Sequence, residues 1–145
     1  MVYFGEYRGK IDKQGRVVIP SKLRELIKKD GSNNVYITKG IEKCLFVFTE
    51  KIFEEQGEKI NDLSFTKGNP RIFTRFFYSG SYKEKIDGQG RILIPSKLIE
   101  YAEIKENIVI IGAGKRIEIW DEKNWENFYN QHFSFYGEIS EKIFE

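Results

Sequence analysis

The chain has 145 residues and is poor in the side chains that most enzymes use. It has one cysteine, one histidine, one methionine and three prolines. A lone cysteine, Cys44, excludes an internal disulfide framework, and the Cys/His spacing of a metal site is missing. His132, the single histidine, stands in an aromatic tail, and no serine is placed with a base as nucleophilic catalysis requires. Gly112-Ala113-Gly114 lacks the third glycine of a phosphate-binding fingerprint. No apolar run, Ile108–Ile111 included, approaches the roughly 20 residues of a membrane-crossing helix. The opening MVYFGEYRGK has no basic leader followed by an apolar stretch, so no signal peptide is expected and the cytoplasm is the expected compartment. These absences predict no enzyme, no cofactor, no metal and no small-molecule substrate. Net charge is only +2, so overall basicity cannot carry a nucleic-acid reading.

What the chain has is a repeat. Tyr7–Ile27 (YRGKIDKQGRVVIPSKLRELI) and Tyr82–Ala102 (YKEKIDGQGRILIPSKLIEYA) align 75 positions apart, with 13 of 21 residues identical. Two copies are too few for a solenoid and predict a duplicated half-domain with pseudo-two-fold symmetry. A duplicated surface suits a repeated ligand, and duplex DNA is the commonest. Charge divides unevenly: residues 1–81 carry +5 and residues 82–145 carry −3. The first half is the expected anion-binding half, and the acidic stretch from Glu118 onward is expected to face solvent or a neighbouring subunit.

Each unit reads β-turn-β-α-β-β-α, a β-rich α+β pattern. In the first, Gly9–Asp12 and Arg16–Ile19 flank a tight turn in which Gly15 supplies a positive φ. Pro20 is expected at the first helical position, and Leu23, Leu26 and Ile27 form an apolar stripe. Strands follow at 35–38 and 45–48, then a helix capped by Thr49. The second unit repeats this order, with the turn at Asp87–Gly90, Pro95, strands at 108–111 and 117–120, and Asp121 as the cap. The units divide the chain into residues 1–68, a connecting segment 69–81 and residues 82–145. In the connecting segment Asn69 as cap and Pro70 in the first turn predict a helix, with Ile72, Phe73, Phe76 and Phe77 on one face. Arg71 and Arg75 on another face suit inter-subunit ion pairs or DNA. The tail 132–145 is either a docked last helix or a segment ordered by a partner.

The chemistry concentrates in Asp-x-x-Gly-Arg, written as Asp12, Gly15, Arg16 and again as Asp87, Gly90, Arg91. Each arginine follows the tightest point of a hairpin, where its guanidinium can reach phosphate oxygens or a guanine edge. The aspartates suit holding the turn or locking the arginine rotamer. Arg8, Lys10 and Lys13 surround the first hairpin and Lys85 the second, as candidate phosphate contacts. Gln14 and Gln89 either read an adenine edge or serve as polar turn residues.

The doubled hairpin, each copy followed by Ile-Pro and a helix, resembles the MraZ family of bacterial transcriptional regulators in the AbrB-like swapped-hairpin group. Asn69-Pro70-Arg71 with Arg75, and Ile117–Glu122 leading to Trp125, support it over the whole chain. The resemblance implies a double swapped-hairpin β-barrel with peripheral helices, built by pairing the two half-units. It implies assembly into a homo-oligomeric ring on the nucleoid, and binding of direct repeats in double-stranded promoter DNA upstream of the protein's own division and cell-wall gene cluster. Arg16 and Arg91 match that family's DNA-contacting arginines. The competing class is an antitoxin-like or scaffold module that docks another protein through its barrel or its Phe133-Ser134-Phe135-Tyr136 tail.

Overall fold

The computed structural model describes all of residues 1–145. The first unit contains β1 (Glu6–Lys10), β2 (Arg16–Val18), α1 (Ser21–Lys29), β3 (Asn34–Lys39), β4 (Leu45–Thr49) and α2 (Glu50–Asn61). Helix α3 (Gly68–Ser79) connects it to β5 (Tyr82–Lys85), β6 (Arg91–Leu93), α4 (Ser96–Tyr101), β7 (Asn107–Gly112), β8 (Ile117–Asp121) and α5 (Glu122–His132). A 3₁₀ turn then leads into α6 (Tyr136–Phe144). The α+β class and the repeated element order agree with the sequence reading.

The local signals operate much as their chemistry dictates. Thr49 accepts the Ile52 N–H at 3.2 Å, and Asp121 accepts the Asn124 N–H at 3.4 Å, so the two α2/α5 caps are equivalent. Pro20 and Pro95 sit one residue earlier than expected. Each is the cap residue, with ψ of 141° and 142°, and turns the chain from strand to helix without a side-chain bond. The connecting helix likewise starts earlier, with Lys67 as cap and Asn69 and Pro70 inside its first turn.

The strands pair across the repeats. The main sheet runs β1-β7-β8-β4-β3-β5, and β2 pairs with β6 in a separate ribbon. Thus β1 joins the second unit, β5 joins the first, and each unit has given its hairpin to the other. The expected barrel is not closed: the sheet ends at β1 and β5, and their hairpin partners turn away into the ribbon. The pseudo-two-fold axis passes between Val17 and Ile92 in the ribbon and between Phe46 and Glu118 in the sheet, the central pairs of two symmetric registers.

The core lies between ribbon, sheet and the helices α1 and α4. Val17, Ile19, Leu23 and Ile27 enter it from one unit, and Ile92, Ile94 and Leu98 enter from the other. Each such side chain contributes about 1.5–3 kcal/mol on burial, so the hairpins are anchored by apolar packing far more than by surface charge. The acidic C-terminal stretch departs from expectation at its start. Glu118 and Asp121 are buried, Glu118 accepting bonds from Arg116 Nε at 2.8 Å and Trp120 Nε1 at 2.9 Å. Its negative charge is compensated inside the fold because β8 is covered on both faces, one of them by the aromatic helix α5. The tail after α5 is helical but undocked, with no buried residue in α6.

Candidate nucleic-acid interface

The two hairpin turns are built identically. In the first, Asp12 Oδ1 accepts the backbone N–H of Gln14 at 2.9 Å and of Arg16 at 2.8 Å. In the second, Asp87 Oδ1 accepts from Gln89 and Arg91, both at 2.9 Å. The glycines before the arginines take φ of +86° and +78°, where a Cβ is strained and glycine is not. Each aspartate's other oxygen accepts the arginine Nε–H, at 2.9 Å for Asp12–Arg16 and 2.8 Å for Asp87–Arg91. One carboxylate therefore fixes both the turn and the guanidinium. The terminal Nη groups of Arg16 and Arg91 make no hydrogen bond within the chain and are left as outward donors.

Both aspartates titrate below the ordinary value of 3.8. The largest cause is the arginine backbone N–H; partial desolvation opposes it, and the guanidinium and the glutamine N–H add to it. A carboxyl depressed in the folded state contributes stability that is full above its unfolded value and is lost as pH falls through the folded one. Slowed exchange of the Arg16 and Arg91 Nε protons is therefore expected at neutral pH and should persist until the pH falls below the ordinary aspartate value of 3.8. Asp12→Asn and Asp87→Asn should abolish that transition in a proton-exchange titration by NMR.

The hairpins meet back to back. Ile19 N–H donates to the Gly90 carbonyl at 2.9 Å, and Ile94 N–H donates to the Gly15 carbonyl at 2.8 Å. In the ribbon Arg16 pairs with Leu93, Val17 with Ile92 and Val18 with Arg91. Strand alternation sends Val17 and Ile92 inward, where they are 1 % exposed, and puts Arg16, Val18, Arg91 and Leu93 on the outer face. The two arginines are diagonal neighbours, with Cα atoms roughly 7–8 Å apart by sheet geometry.

The surrounding residues divide into free and engaged. Lys13, Gln14 and Gln89 are exposed at the tips and Lys85 beside them, with no side-chain bond. Lys10 makes only a loose 3.9 Å contact with Glu106. Arg8 is engaged: it lies 3.2 Å from Glu126, 3.3 Å from Glu122 and 3.3 Å from Glu6. Its repeat equivalent, Lys83, pairs with Glu50 at 3.1 Å. Glu50 and Glu122 both open the helix after the last strand of their unit, so these contacts form one duplicated ion pair across the exchanged strands.

Arg24 reaches from α1 to the second hairpin and donates to the Gln89 carbonyl at 3.3 Å. It lies so close that a Cβ on Gly90 would be 1.3 Å from its Nη1. The equivalent position in the second unit is Ile99, which packs against Gly15. The second turn therefore has an additional cation and the first an apolar support. Only comparison of the repeats at Arg24/Ile99 gives a sequence signal for this difference.

The chain is a small α+β protein of exchanged β-hairpins, with paired, carboxylate-oriented arginines on a solvent-facing ribbon. A family model described as "MraZ protein, putative antitoxin-like" matches it twice, over residues 2–76 and 77–141. Proteins named transcriptional regulator MraZ match it over nearly their full length. The one from Finegoldia magna is 43% identical over 98% of this chain and 96% of its own. That from Pelotomaculum thermopropionicum is 42% identical over 98% and 95%, and that from Heliobacterium modesticaldum 38% identical over 99% and 98%. The chain belongs to the MraZ family, which is not an enzyme family. No helix is long and apolar enough to cross a membrane.

Proposed function

We propose that this protein is a DNA-binding transcriptional regulator that recognises double-stranded promoter DNA through Arg16 and Arg91. The observation that carries the reading is the state of those two guanidiniums: each is locked through Nε, and each keeps its Nη donors free on one outer face. A two-stranded ribbon fits the major groove, about 12 Å wide, and a forked guanidinium matches a guanine edge or a phosphate. Lys10, Lys13 and Lys85 set register on the backbone, and Gln14 and Gln89 lie at the tips within reach of bases. Arg8 is left out of the contact set because three glutamates hold it. Asp12, Gly15, Asp87 and Gly90 act by positioning.

The family resemblance supplies the finer target: direct repeats upstream of the protein's own division and cell-wall operon, read in the cytoplasm at the nucleoid. The exchange of hairpins between the units supports kinship with the AbrB-like group. Assembly into a homo-oligomeric ring has its own support in exposed apolar surface. Ile72, Phe73 and Phe76 of α3 line an open groove with Phe46 and Ile41, while Phe135, Ile139 and Ile143 project from the undocked tail. Surfaces of this kind mark contacts between chains. Several hairpin pairs on one ring would raise the local concentration of each successive contact, which a chain of charge +2 requires. Fluorescence anisotropy tests the reading, with a duplex from upstream of the gene and a scrambled duplex across a salt series. Preference for the native duplex with a steep salt slope is expected. Equal weak binding to both would sink it.

A further inference from the structure

The outer face of the β2–β6 ribbon carries more than arginines. Val18 is 53 % exposed and Leu93 is 46 % exposed, and no element of the chain covers either. They are repeat equivalents, 75 positions apart, so both units place an aliphatic side chain at a position that strand alternation points to water. A single exposed leucine needs no explanation. Here the two apolar groups form one diagonal of a four-residue checkerboard, and Arg16 and Arg91 form the other. Any ligand held by both guanidiniums meets Val18 and Leu93 at the same time. It must offer negative charge or acceptor atoms, with small apolar groups a few ångströms away on the same surface.

The major groove of DNA offers that combination. Guanine N7 and O6 and the phosphates are acceptors, and the thymine 5-methyl is the one apolar group that projects from a base edge. We propose that Val18 and Leu93 are specificity determinants that pack on thymine 5-methyl groups beside the acceptors taken by Arg16 and Arg91. The operator face under each ribbon would then combine guanine with flanking thymine. Val18 and Leu93 differ in reach, and Arg24 adds a cation only beside the second turn. The two hairpins of one chain therefore read related but unequal half-sites. This inference rests on the DNA-binding reading above and adds the chemistry of the bases read.

The test removes the methyl from the DNA. Full-length protein is titrated with the native upstream duplex and with the same duplex carrying uracil for thymine, which leaves base pairing intact. The Val18→Ser/Leu93→Ser variant is measured alongside. Wild-type affinity should fall about fourfold for each methyl contacted, the transfer value of one buried methyl group. The variant should bind the thymine duplex correspondingly less well and should bind both duplexes alike. Its ratio also controls for any change in DNA stiffness, and a melting curve confirms that two exposed substitutions leave the fold intact. Wild-type protein that prefers native over scrambled DNA but ignores uracil would overturn the inference and leave the DNA reading standing. So would a variant that keeps full discrimination, or one whose only defect is a changed oligomeric state. Failure to prefer the native duplex at all would remove both.

Discussion

Arg16→Ala and Arg91→Ala should each weaken binding to the upstream duplex by about 1–3 kcal/mol, roughly 5–150-fold, and the double substitution should abolish its preference over scrambled DNA. The expected size follows from how the side chains are held. The Nε–Oδ2 bonds of 2.9 and 2.8 Å leave the guanidinium planes oriented before any ligand arrives, so little rotamer entropy is lost when the Nη groups bind. Arg16→Lys is the sharper variant. Lysine keeps the charge but has neither an Nε for Asp12 nor a second donor in the plane. It should retain most of the salt dependence and lose most of the sequence preference. Anisotropy titrations at fixed salt, native against scrambled, read both quantities. Wild-type affinity in Arg16→Ala would return Asp12–Arg16 to a purely local role in the turn.

The second large effect falls on stability. Ile94 is 2 % exposed, lies in the core cluster and donates its N–H to the Gly15 carbonyl of the other hairpin. Ile94→Ala should cost about 2–5 kcal/mol, since the rigid cross-strand packing cannot collapse into the space left. For a domain of this size that is on the order of 10 °C in Tm. The effect should not stay in the second unit. Gly15 and the first turn lean on the same strand, so amide exchange at Gln14 and Arg16 should accelerate along with that at Gln89 and Arg91. Thermal melting and residue-resolved hydrogen exchange check the two parts separately. Loosening confined to residues 87–95 would mean that the hairpins are supported independently.

The parts legible in the sequence are those governed by contacts within a few residues. Asp12, Gly15 and Arg16 announce their turn because a carboxylate, a positive φ and a following donor are all local requirements, and their recurrence at Asp87, Gly90 and Arg91 marks the repeat. Thr49 and Asp121 are legible as caps for the same reason. Strand partnership is not, because nothing near Glu6–Lys10 says that its ladder is completed by Asn107–Gly112. Arg8 looks like a free neighbour of Lys10 until the exchange brings Glu122 and Glu126 beside it. Glu118 reads as a solvent-facing strand residue, and only the covering of β8 turns it into a buried, doubly bonded carboxylate. Arg24 is informative only where it differs from Ile99. In each case the missing information is the non-local pairing, and every correction at the site follows from it.

The exchange of hairpins also fixes an order of events during synthesis. Strand β1 is among the first segments to leave the ribosome, and its partner β7 ends at Gly112. At about 5–20 residues per second the N-terminal strand waits on the order of 5–20 s for its complement. Until then the emerging half-chain has an unmatched edge and an arginine turn with no ribbon to seat it. A nascent or prematurely terminated first repeat therefore lacks both the strand that completes β1 and the strand that completes the ribbon.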